Sequence, residues 1–282
     1  MNTTKRIFLA PMHVLVATSF FVFAPLFVRS QTLPVLERLS NDINTTADEI
    51  NPILDWDGST MYFTRVGHPD FNKTLLMENE DQSAVLDDTQ FGALLKDVYS
   101  RIAEQPISDP VHSSFNQDIW IAQGDLKGNF TKIAHPGAPV NNALPNSIST
   151  MTPEPHRFVV INQFIPEGGM DIGFSEIEHY GDTAWSFPKP IVIEDYYTRQ
   201  SGTSLTMSSD GALMILALNR SDTRGDNDLY ISFHNADGTW AAPKNLGKGI
   251  NTEFRESTPH LSADMKILYF SSNRPKSLGG MD

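Results

Sequence analysis

Asp222, Asp226 and Asp228 crowd into one glycine-containing stretch, Ser221 to Asp228, and carboxylates at such short spacing are hard oxygen donors of the kind that hold calcium. The full calcium-loop pattern with its closing Glu is missing, so the competing reading is loop chemistry, in which Asp and Asn accept backbone N–H bonds and Asp228 opens a strand. A nucleophilic serine would sit in a Gly-x-Ser-x-Gly elbow, which the chain lacks. The nearest candidate, Ser204 in the stretch Gly202 to Thr206, reads as ordinary strand sequence. The 8 histidines include no His-Glu-x-x-His, and only His68, His112 and His135 fall near one another, in or near loops. The 34 acidic residues allow a carboxylate pair of the glycosidase type, and Trp56, Trp120, Trp185 and Trp240 could stack on sugars. Those tryptophans sit at equivalent or in-strand positions, which favours packing between sheets. With no cysteine, disulfides, thiolate metal sites, thiol nucleophiles and lipidation on cysteine are all excluded.

The elements that must carry these side chains repeat. Asn51 to Arg65, Ser149 to Ile161, Leu205 to Ala217 and Pro259 to Asn273 each read as strand, tight turn, strand. The turn falls at Asp57-Gly58, at Asp210-Gly211 and, in altered form, at Glu154-Pro155 and Asp264-Met265. Asp-Gly suits a two-residue hairpin, whose central residues take positive φ. The second strands are apolar on consecutive residues, as at Met61 to Phe63, Phe158 to Val160, Met214 to Leu216 and Leu268 to Phe270, and such runs mark strands covered on both faces. A third strand is read at Asp118 to Ala122, Asp171 to Ser175 and Asp228 to Ser232, and a fourth is led by Phe130, Trp185 or Trp240.

Four strands per repeat is the content of one β-propeller blade. The expected fold is therefore all-β: four-stranded blades with a period of roughly 55 residues. Blade one spans 49–145, blade two 146–201, blade three 202–256, and a partial fourth blade 257–282. The wider first gap implies an insertion at 72–115, between the second and third strands of blade one. Within it Phe91, Leu94, Leu95, Val98, Ile102 and Ala103 recur at helical spacing and predict an amphipathic helix over Thr89 to Gln105, either folded over the blade edge or docking a partner. On this count the propeller is incomplete at its C-terminus, which would leave a sheet edge open.

Residues 1–30 have a different character. Lys5 and Arg6 precede an almost wholly apolar run from Ile7 to Val28, and small or modest side chains lead to Gln31, which is the layout of a signal peptide; an uncleaved membrane anchor is the alternative. Residues 31–48 read as a linker or an N-terminal extension. The formal charge of −13 becomes −16 once Lys5, Arg6 and Arg29 leave with a cleaved leader, which argues against nucleic acid and anionic membrane surfaces as partners.

The Ser-x-Asp-Gly turn at Ser208 to Gly211, the run Leu268 to Arg274, the run from Asp228, and Trp240 to Gly247 followed by Ile250-Asn251-Thr252 resemble the TolB-like or WD-like β-propeller repeats of bacterial envelope proteins. Phe63 to Pro69 with Gln117 to Trp120 is similar to the first blade of a Bacteroidetes-type subgroup. The resemblance covers most of 49–282 and implies a periplasmic or outer-membrane-associated protein. Relatives often add an OmpA-like module that grips peptidoglycan, and peptidoglycan is expected as a partner only through such a module, which residues 1–282 do not include. The expected function is a non-enzymatic binding scaffold that engages envelope proteins or polymers and needs no cofactor, with calcium as the one metal to consider. A glycan- or peptide-acting hydrolase or lyase, or the propeller part of a larger peptidase, is the alternative.

Overall fold

In the computed structural model the described residues are 37–164, 169–181, 184–200, 202–275 and 280–281. The leader reading at 1–30 lies outside them. Hairpins with interior second strands dictate the architecture. β1 (Asp48–Leu54) and β2 (Thr60–Val66) form the first hairpin. The insertion follows, with the short hairpin β3 (Leu76–Met77) and β4 (Glu80–Asp81), then α1 (Gln82–Val85) and α2 (Asp88–Ala103). β5 (Gln117–Gly124) and β6 (Phe130–Ala134) complete an antiparallel sheet in the order β1-β2-β5-β6. The second sheet is built from β7 (Ile148–Met151), β8 (Arg157–Phe164), β9 (Met170–Tyr180) and β10 (Ala184–Trp185), with β11 (Lys189–Pro190) also on β9. The third comprises β12 (Ser204–Met207), β13 (Leu213–Leu218), β14 (Asp228–Phe233) and β15 (Lys244–Asn245) in sequence order. The fourth pairs β16 (Glu256–Leu261) with β17 (Leu268–Ser272). The first strands of successive sheets touch: β1 meets β7, β7 meets β12, and β12 meets β16. The chain is thus all-β in architecture, with antiparallel sheets stacked face to face.

Burial explains the consecutive apolar runs. Tyr62 looks toward the second sheet and shares a core with Ile119, Ile148, Phe158 and Ile177, while Met61 and Phe63 face the other way with Ile43, Trp120 and Phe130. Met214 and Leu216 join Val159, Phe174 and Tyr230 between sheets two and three, and Ile215 meets Leu268 and Phe270 of sheet four. Among the described residues the outer face of β17 has no such cover, and Tyr269 is 56% exposed.

Helix α2 sits where the insertion was read, and its start is fixed by a capping box between Asp87 and Gln90. It buries Phe91, Leu95 and Tyr99, and the Tyr99 hydroxyl donates to the Ala143 carbonyl at 2.8 Å. Each such side chain contributes about 1.5–3 kcal/mol by leaving water. The helix therefore belongs to the core between sheets one and two, which supports its reading as a cover.

Three details correct the sequence reading. The Asp-Gly turns are not two-residue hairpins with paired positive φ. Gly58 donates its N–H to Asp55, Gly211 to Ser208 and Met265 to Ser262, and in each loop only that closing residue has positive φ, at 68°, 69° and 57°. The preceding Asp57, Asp210 or Asp264 instead accepts the amide two residues on. In sheet two Pro155 occupies the glycine position. Its ring fixes negative φ, so positive φ passes to His156 at 61°. The third strand of sheet two is also shifted. Ser175 pairs with Val160 as Trp120 pairs with Phe63, so Gly173, and not Asp171, is the counterpart of Asp118. The ladder is irregular at that point, where the single residue Asn162, φ 70°, lies opposite two residues of β9, Ile172 and Gly173. Finally, Trp240 lies outside the strands and makes isolated bridges to Ile193 and His234, while β15 supplies the fourth strand.

Candidate functional site

The hairpin turns of sheets one and two border a polar cleft of about 730 Å³. The β1–β2 turn gives it Asp55, Asp57 and Ser59, the β5–β6 turn gives it Asp125 and Asn129, and β6 gives it Lys132. Sheet two contributes His156 from its altered turn and His179 from β9. His156 Nδ1 lies 2.9 Å from Asp55 Oδ2, so the residue that takes positive φ in place of the proline makes the bridge across the cleft. Asp55 is buried, its other oxygen accepting the Trp56 N–H at 2.7 Å. Beneath this bridge the Tyr62 hydroxyl meets His179 Nδ1 at 2.9 Å, and His179 stacks on Trp185 with ring centroids 4.3 Å apart. Burial pushes the Tyr62 phenol well above its usual pKa, and the nearby Asp55 carboxylate adds to that rise. Hydrogen bonds from Ser59 hold Asp57 below the usual carboxylate range, and those from Asn129 do the same for Asp125. The cleft thus offers ionised acceptors at its rim, one ammonium group, and a hydrogen-bonded phenol and imidazole at its floor. Such a lining recognises a polar ligand through several directed hydrogen bonds.

The residues expected to act from sequence are dispersed. Ser204 Oγ accepts the Thr258 amide at 3.1 Å and joins sheet three to sheet four. Asp222 accepts from the Tyr230 hydroxyl, Asp226 faces Arg255 at 3.8 Å, and Asp228 accepts from the Arg224 amide and Asn245. Among the described residues no three His, Asp or Glu side chains converge as a metal site requires. His135 and Asp118 meet at 2.7 Å, with His135 stacked 4.2 Å above Trp120 and His68 against the same indole at 5.5 Å. Burial raises the Asp118 pKa despite its bond from His135. His112 pairs separately with Asp109. Trp120, Trp185 and Trp240 are buried, whereas Trp56, between two cleft aspartates, is 58% exposed.

Sequence reasoning missed Asp55, Tyr62, His156 and His179. It also missed a hold between sheets. Asn141 and Asn251 each accept the N–H and bind the C=O of one strand residue, Ile119 and Leu229 respectively, all at 2.8–2.9 Å. Glu256, wholly buried, follows Asn251 and gathers Thr252, Ser272 and Arg274. The signal was present: Ile43-Asn44-Thr45 with Glu49 repeats Ile250-Asn251-Thr252 with Glu256.

No protein-family profile matches the chain, and no curated protein does. Among solved structures it is similar to TolB from Acinetobacter baumannii, with 12% sequence identity and a TM-score of 0.31. The likeness covers 80% of this chain and 63% of TolB, so the chain spans less than two thirds of that protein's length.

Proposed function

We propose that this chain is a non-enzymatic binding protein of the bacterial cell envelope, its sheets being blades of a TolB-like propeller and its ligand held in the cleft between sheets one and two. The observation that carries the reading is the cleft itself, where polar side chains from two sheets converge and the Asp55–His156 bridge spans the two turns. Its mix of three aspartates with one lysine disfavours polyanions, and its polar lining disfavours lipid tails. Envelope polymers and peptides remain the fitting ligands. The test is a thermal-shift screen of purified protein against peptidoglycan oligosaccharides, lipopolysaccharide saccharides and short peptides, with mass spectrometry of each compound afterwards. The expected result is stabilisation by a compound recovered intact, lost in Asp125→Ala and Lys132→Ala. Cleavage of the compound would replace the binding reading with the hydrolase one, and no response from any class would remove the cleft as the site.

A further inference from the structure

The cleft between the turns of sheets one and two has an uncommon lining for its size. Ligand sites of roughly 300–1,000 Å³ are ordinarily walled by aliphatic and aromatic side chains, with a few polar groups to fix orientation. At about 730 Å³ this cleft falls in that range, yet among the described residues no Ala, Val, Leu, Ile or Met lines it. Hydroxyl and carboxamide residues take their place, namely Ser59, Thr60, Gln123, Asn129 and Thr131. Its one phenol, that of Tyr62, lies at the floor.

Such a wall selects by hydrogen-bonding sense. Hydroxyls and carboxamides both donate and accept, Lys132 donates only, and the ionised Asp57 and Asp125 accept only. A ligand rich in hydroxyls, each a donor and an acceptor at once, answers that mixture. A peptide needs recesses for apolar anchoring side chains, and this lining offers none. A second observation concerns Trp56, which follows one cleft aspartate and precedes another and is 58% exposed while the other three tryptophans are buried. Its backbone N–H is held at 2.7 Å by Asp55, the same buried carboxylate that His156 meets at 2.9 Å across the cleft. The turn therefore keeps a flat apolar ring in water beside a polar cleft. A pyranose is the matching shape, with hydroxyls around its edge and C–H groups on its faces.

We propose that the ligand of the cleft is an oligosaccharide of hexopyranosyl units, one ring lying with its C–H face on the Trp56 indole and a neighbouring ring placing its hydroxyls among the residues of the cleft. The inference rests on the cleft being the ligand site, and goes beyond that reading in naming the ligand class and the stacking residue. Asp57 and Asp125 take hydroxyl protons, and Lys132 gives protons to hydroxyl oxygens. Neutral rings are thus held without a counter-ion on the ligand.

The probes are fluorescently labelled hexasaccharides of glucose, of mannose and of N-acetylglucosamine, together with a set of labelled octapeptides, each titrated with the full chain and followed by anisotropy. Saturable binding of at least one hexasaccharide is expected, weakened about tenfold by Trp56→Ala and largely kept by Trp56→Phe, which retains a flat ring. Bound sugar should also shield tryptophan fluorescence from acrylamide, and that shielding should vanish in Trp56→Phe. Trp56→Ala should leave the melting temperature unchanged, since the side chain is more than half exposed, which separates lost binding from lost folding. Hexasaccharide binding that Trp56→Ala leaves intact overturns the proposal. Binding of octapeptides alone, abolished by Asp125→Ala, overturns it while the cleft stands as a ligand site. If no binding of either class responds to Asp125→Ala, the cleft reading falls and the proposal falls with it.

Discussion

The junction between sheets three and four and the junction between sheets one and two use the same lock but carry different loads. At the former, Asn251 grips Leu229, the buried Glu256 ties Thr252, Ser272 and Arg274 together, and Ser204 accepts the Thr258 amide. At the latter, Asn141 grips Ile119 in the same way, but Asn146 stands in the glutamate's position, helix α2 is built into the shared core, and two histidines reach across to Asp55 and Tyr62. What is common to both serves stacking of the sheets. What is peculiar to the first junction is surplus to stacking, and that surplus is where a ligand site is to be sought.

The sharpest way to break this contrast is Leu95→Ala, which empties part of the core beneath α2. We expect a loss of about 2–5 kcal/mol, read from denaturant unfolding, because buried leucine truncations leave cavities. If the loss is negligible, α2 is an ornament to the junction and not its cover. Next come Asn141→Ala and Asn251→Ala, each of which strands one buried N–H and one buried C=O. Both should cost about 1–3 kcal/mol, and near-equal losses would confirm that the lock is shared. His156→Ala removes a side chain that is more than half exposed, so its effect on unfolding should stay within about 1 kcal/mol while ligand response in the cleft is lost. A large drop in stability would make the bridge structural.

The smallest effect is on acid sensitivity. Asp57, Asp125, Asp210, Asp237 and Asp264 all have pKa values lowered by hydrogen bonds within their hairpin turns. A carboxylate depressed by folding stabilises the folded state above its unfolded pKa of about 3.9, and the benefit disappears as pH falls through the lowered folded value. Asp118 acts in the opposite sense, since its raised value favours folding with the group protonated and is felt as a cost once pH rises above it. The melting temperature should therefore fall below about pH 4, and Asp210→Asn should flatten that decline slightly. Because such turns occur at both junctions, the change should not distinguish them.

The hairpins were legible because strand pairs with apolar second strands recur at even spacing, and α2 was legible from its helical period. The third strand of sheet two was misread because Asp171 looks like the aspartate that opens the third strand of sheets one and three, whereas the pairing register gives that place to Gly173. The cleft was hidden for a related reason. His156 belongs to the hairpin whose glycine is replaced by Pro155, so the repeat looked merely degraded where the new side chain enters. Tyr62 looked like one more core aromatic, and its hydroxyl partner His179 lies 117 residues away. The four tryptophans were treated alike, yet Trp56 lies in a turn and the other three are buried.

The asparagine grip also bears on how such a chain acquires its shape in time. Both grips join residues only 22 positions apart, so neither has to wait for distant parts of the sequence. Sheets one and three can each be fastened to the connection that follows soon after that connection emerges during synthesis, while loop closure over so short a span costs little entropy. Each of these two grips is in that sense a local tooth, able to close before the rest of the chain is made.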